Sequence, residues 1–141
     1  MGMAVEAREE LLAQPLVAAL AVARDAGEPP LVVPIWYQYT PGGRPWILTG
    51  TDSVKDRLIR AAGRFSLMVE VLTPSVRYVT VEGTVASRVP GTVDMLRELS
   101  VRYLPAEAVD QYVEFASGDH GETVRIELEP TRWLSADMGS F

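Results

Sequence analysis

The sequence has no cysteine and one histidine, His120, and Lys55 is its only lysine; the other twelve of its thirteen basic residues are arginines. Without cysteine there are no disulfides, cysteine-ligated zinc sites, iron–sulfur clusters or thiol catalysis. One histidine leaves a Ser-His-Asp relay or a two-histidine metal site little to build on, so no metal site is expected. A basic face is lacking too. Nineteen acidic residues give a net charge of −6 and a pI of about 4.8, which argues against a general nucleic-acid binder. Long apolar runs are missing: the longest, Leu16 to Ala23, is far too short to cross a bilayer. Glu6, Glu9 and Glu10 stand where a signal peptide needs positive charge, so a cytoplasmic protein without a membrane partner is expected. What is present is apolar content: 48% of 141 residues is enough for one packed domain over 1–141. The classes left are a binding module and an enzyme whose reactive atoms come with a cofactor. No side chain stands out as catalytic.

The apolar spacing predicts a short helix over 4–13, stopped by Pro15, and a buried strand in 16–23 that ends at Asp25-Ala26-Gly27. Residues 31–39 read as a strand, with Pro34 placing it at an edge or bulge. Thr40-Pro41-Gly42-Gly43 reads as a hairpin turn returning through 46–49 as the paired strand. A helix over 52–63 follows, with Asp52 or Ser53 as N-cap and Gly63 just past its end. Alternation in 65–71 and 79–85 predicts a hairpin about Thr73-Pro74-Ser75. Thr92 caps a helix to Tyr103, and Pro105 starts another carrying Val109, Tyr112, Val113 and Ala116 on one face. Residues 124–128 alternate as a last strand that Pro130 ends or bends before Trp133. About six strands in consecutive hairpins point to a mainly β fold, a small antiparallel barrel with packing helices.

The most informative stretch is Thr49-Gly50-Thr51-Asp52-Ser53-Val54-Lys55. A strand ends, hydroxyls cluster, and a helix begins with the only lysine in its first turn. Free N–H groups and the dipole at a helix start favour an anion, and the hydroxyls and ammonium add donors. The same residues equally make an ordinary capped helix with a solvated lysine.

In its order, the pattern T-x-x-x-S-x-K, then F-S-L-M-V-E, then R-Y-V-T-V-E-G resembles the pyridoxamine 5'-phosphate oxidase-like FMN-binding split-barrel superfamily, from about residue 5 to Trp133. The resemblance implies a six-stranded antiparallel split β-barrel. It also implies a homodimer with FMN, or the deazaflavin coenzyme F-420, between its subunits. The cofactor phosphate would lie at Thr49, Ser53 and Lys55, with Thr51 in the same turn, and the ring system along Pro34, Ile35 and Trp36. Tyr78 would reach the cofactor from the partner chain or cover the dimer seam. The true oxidases carry R-Q-V-R-V-E-G where this chain has Tyr78 and Thr80, and their Arg-rich C-terminal segment has no counterpart before Phe141. The implied activity is therefore a flavin- or deazaflavin-dependent oxidoreductase moving hydride to or from a small organic substrate, not pyridoxamine phosphate oxidation. The alternative is a non-enzymatic flavin or haem carrier or sensor.

Other residues carry paired readings. Trp36, Tyr37 and Tyr39 either shape the ring face or substrate pocket or pack the core, and alternation puts at least one of them in packing. His120 is a haem ligand, a proton donor or a surface residue of its turn. Arg57, Arg60 and Arg64 form a solvated face, or Arg57 or Arg60 meets the tail of a larger anionic coenzyme. Glu127 and Glu129 share the solvent side of one strand.

Overall fold

The computed structural model describes residues 2–119 and 121–140. The elements, in chain order, are α1 (Val5–Ala13), β1 (Ala18–Val22), β2 (Leu31–Ile35), β3 (Trp46–Gly50), α2 (Val54–Ala62), β4 (Arg64–Val71), β5 (Arg77–Pro90), α3 (Val93–Tyr103), α4 (Ala106–Asp119) and β6 (Thr123–Asp137). The six strands form one antiparallel sheet in the order β2-β1-β4-β5-β6-β3. The sheet curls until Gln38, just past β2, exchanges two backbone hydrogen bonds with Trp46 at the start of β3, at 2.9 and 3.0 Å. That single bridge is the seam of a split barrel.

Alternation explains what fills it. Leu20 and Val22, Leu67 and Val69, Val79 and Val81, and Val124, Ile126 and Leu128 all point inward and are buried. Leu11 and Leu12 of α1 and Ile59 of α2 complete the same core. Each such side chain contributes roughly 1.5–3 kcal/mol by leaving water. The α3–α4 pair has its own apolar contacts, with Leu99, Val109, Val113 and Ala116 buried.

One strand expectation needs correction, and one that was left open is decided. Residues 46–49 do not return as the partner of 31–39: β3 pairs along its length with β6, from Trp46 opposite Glu127 to Gly50 opposite Thr123. The reason is that the chain leaves the sheet after Ile35. The Tyr37 amide donates to the Tyr103 hydroxyl at 3.1 Å instead of to a neighbouring strand. Of the two readings of Pro130, the bend holds and the end does not: β6 continues to Asp137 through a bulge. Pro130 lies opposite Gly83 and Arg132 opposite Glu82, so Thr131 is the extra residue that absorbs the bend. Gly83 is required there, because a Cβ would lie 2.0 Å from the Glu129 carbonyl oxygen. Among the described residues no helix is long and apolar enough to cross a membrane, and no group of three or more His, Asp or Glu side chains could hold a metal.

Candidate functional site

The 49–55 turn is built where β3 stops. Thr49 is buried at the end of the strand and Ser53 caps α2, with their hydroxyl oxygens 3.1 Å apart. The Ser53 oxygen accepts the Asp56 amide at 3.2 Å, and the Ser53 amide donates to the Gly50 carbonyl at 3.0 Å. Asp52 takes a left-handed conformation, φ 63°, which closes the turn and which Asp tolerates better than most residues. Thr51 is exposed, its amide donating to the Glu122 carbonyl at 2.9 Å and so tying the turn to the residue before β6. Lys55 is half-buried in the first turn of α2. The amides of Val54 and Lys55 have no protein partner among the described residues, as expected for first-turn N–H groups.

Behind this turn lies a charge cluster. Asp56, with a fully buried side chain, accepts from Arg88 Nε at 3.0 Å and Nη2 at 2.7 Å, and from the Asp52 amide at 2.9 Å. Arg60 donates to Asp52 at 2.5 Å and lies 3.7 Å from Asp56. The Arg88 hydrogen bonds hold the Asp56 carboxyl below its ordinary range, against the opposing effect of burial. Asp56 therefore stays ionised and pins the left-handed residue that sets up Ser53. The sequence reading missed this pair. A carboxylate at the third helical position after a serine cap was a visible signal, but its partner lies 32 residues away on β5.

Thr49, Thr51, Ser53 and Lys55 thus share one turn. The other expected residues lie elsewhere. Pro34 and Ile35 are on β2, the edge strand, opposite Ala19 and Ala18. Trp36 stacks on Tyr103 at 4.7 Å between ring centroids and tilts against Tyr112 at 5.4 Å. Tyr78 is half-buried on β5, between Glu70 and Ala136. Tyr37 and Tyr39 are core: the Tyr37 hydroxyl donates to the Leu12 carbonyl at 2.6 Å, and that of Tyr39 to Glu9 at 2.8 Å. Burial first, then the Glu9 bond, raises the Tyr39 hydroxyl to about 12, so it stays protonated. Arg60 is engaged within the charge cluster, whereas Arg57 is exposed. Glu127 accepts from Ser87 at 2.8 Å and Glu129 from Arg44 at 2.5 Å. His120 lies outside the described residues.

The donor set of the turn fits a phosphate. One hydroxyl proton of the Thr49–Ser53 pair, two free amides and the side chain of Lys55 are available in one turn, while the nearby carboxylates of Asp52 and Asp56 are held by Arg60 and Arg88. A phosphorylated flavin or deazaflavin would be held there by Thr49, Ser53 and Lys55.

No protein-family profile matches the chain. No curated protein matches it in sequence. Solved structures do. An F-420 reductase is 27% identical, with a TM-score of 0.68 over 89% of this chain and 94% of that one. A FAD-binding protein of Mesorhizobium loti is 20% identical, with a TM-score of 0.63 over 96% and 95%. A candidate pyridoxamine 5'-phosphate oxidase of Listeria innocua is 13% identical, with a TM-score of 0.56 over 93% and 94%. The last two show likeness of fold alone. Curled sheet, packing helices and these likenesses together place the chain in the flavin-binding split-barrel superfamily of pyridoxamine 5'-phosphate oxidase-like proteins.

Proposed function

We propose that the chain is an oxidoreductase that binds FMN or coenzyme F-420 by its phosphate at Thr49, Thr51, Ser53 and Lys55. The observation that carries this reading is the paired Thr49 and Ser53 hydroxyls at the open start of α2, with the only lysine of the chain one helical position further on. The bound ring would supply hydride transfer, and the protein binding, orientation and exclusion of water. The likeness to an F-420 reductase supports the redox class. Pro34, Ile35 and Trp36 are assigned to the ring and Tyr78 to the seam of a homodimer with the cofactor between subunits, in the cytoplasm, acting on a small organic molecule. Titrating each coenzyme into purified protein and following its visible absorbance tests the proposal. Binding of one of them at or below the micromolar range, about −8 kcal/mol, is expected; weaker binding of both rejects it.

A further inference from the structure

In an antiparallel ladder the backbone groups of successive residues turn to opposite edges. Ala18 opposite Ile35 is the last pair of the β1–β2 ladder, and in the same register Leu16 would face Tyr37. The Tyr103 hydroxyl stands between those two residues instead. It accepts the Tyr37 amide at 3.1 Å, and its own proton has the Leu16 carbonyl at 2.9 Å and the Tyr37 carbonyl at 3.0 Å to choose from. The Tyr103 ring stacks on the Trp36 indole, with 16° between their planes, and Tyr112 of α4 lies against the same indole. Tyr37 is thus held off β1, and Gln38 turns to the other edge and bridges to Trp46. Trp36 has the parity of Gln38, so its amide and carbonyl face that edge as well. Neither has a protein partner among the described residues. β2 and β3 are the outer strands of the sheet, and three residues from the bridge along each stand Ile35 and Thr49. An open donor and acceptor therefore border the seam on the side of the phosphate turn.

We infer that Tyr103 is a positioning residue of the ring site: by holding Tyr37 and the Trp36 indole, it presents the free Trp36 amide and carbonyl to the coenzyme ring. The inference rests on the coenzyme reading above. The pyrimidine ring of a flavin or deazaflavin carries carbonyl acceptors and an N–H donor on one edge, the complement of a free amide and carbonyl. The indole is engaged between two tyrosines, so Trp36 serves the site through its main chain and not through its side chain. Tyr103 touches no ring itself. It acts through the segment it holds, and it gives the α3–α4 pair a part in a site otherwise built on β2 and β3.

The test titrates FMN and F-420 into the parent and its variants and reads, at saturation, the visible absorption band of the bound ring. Tyr103→Phe keeps the stack and loses the hydroxyl. Its affinity is expected to fall about fivefold, with the band of the bound ring shifted from that of the parent. Tyr112→Ala leaves the Tyr103 hydrogen bonds in place and frees one face of the indole. A smaller loss with a shift in the same direction is expected, and this variant decides the matter if Tyr103→Phe does not fold. Lys55→Met is expected to weaken binding without moving the band, and Arg102→Met to lower the urea midpoint while changing neither affinity nor band. A band that stays in place in the deciding variant, or that moves as far in Arg102→Met, overturns the inference and leaves the coenzyme reading standing. Binding of neither coenzyme to the parent rejects both.

Discussion

The C-terminal end of α1 and the N-terminal end of α2 pose opposite electrostatic problems and are resolved differently. At the end of α1 the free carbonyls carry partial negative charge, and Arg102 takes those of Leu12, Ala13 and Gln14. Its Nη1 donates to Ala13 at 2.9 Å, and its Nη2 to Gln14 at 2.5 Å and Leu12 at 3.3 Å, while the guanidinium lies 4.7 Å from the Tyr37 ring centroid. The Tyr37 hydroxyl shares the Leu12 and Gln14 carbonyls. That end is sealed by protein groups drawn from α3 and the segment after β2. At the start of α2 the protein supplies a Ser53 cap for one amide and leaves those of Val54 and Lys55 open, beside a lysine and two hydroxyls. Both ends obey the same helix-dipole physics. Only the second keeps donors in reserve, as the proposed phosphate site requires.

Arg102→Met breaks the sealed end and has the largest expected effect. It strands carbonyls that had a charged donor and costs about 2–3 kcal/mol, read as a lower urea midpoint. Coenzyme affinity of the folded fraction is expected to stay unchanged; a joint loss would show that the two ends are not independent. Asp56→Asn comes next. Because the folded Asp56 carboxyl titrates below its ordinary value, its contribution is present above that value and is lost as pH falls through the lowered one. The variant is therefore less stable than the parent at pH 7, and the gap narrows near pH 3, below the ordinary aspartate value of about 3.9. A gap independent of pH would remove the Arg88 pairing as its source.

Lys55→Met acts on the open end alone. Coenzyme affinity is expected to fall about tenfold, roughly 1.4 kcal/mol, with the urea midpoint unchanged. A stability loss without an affinity loss would make Lys55 structural. Thr51→Val has the smallest effect, because this exposed residue is tied to the fold by its backbone amide and not its hydroxyl. A loss of only a few-fold in affinity is expected, measured in the same titration. A loss larger than that of Lys55→Met would centre the proposed anion site on Thr51.

Much of this was legible from local pattern. The Ser53 cap, the left-handed Gly63 after α2 and the Thr92 cap of α3 stand where the residue types placed them, because caps depend on neighbours three or four positions away. The β4–β5 hairpin followed from clean alternation in both strands. The partner of β3 was not legible. Thr40-Pro41-Gly42-Gly43 carries a true turn bond, Gly43 to Thr40 at 2.8 Å, yet the strands beside it meet at one bridge only. A local turn signal holds no record of the competing ladder that β6 offers some 75 residues later. The candidate site divided in the same way: its hydroxyls and lysine were contiguous in sequence, whereas Arg88 was not.

The sequence by itself determined the composition limits, the helix ends and the T-x-x-x-S-x-K turn, all consequences of residue type and short-range spacing. Only the tertiary structure decided that Tyr37 and Tyr39 belong to the core while Trp36 stacks on Tyr103, that Arg102 seals α1, and that Asp56 and Arg88 stand behind the open start of α2. The physical reason is that a buried donor or acceptor takes its partner from whatever the fold brings within about 3 Å. That partner is chosen by packing in space and not by position along the chain.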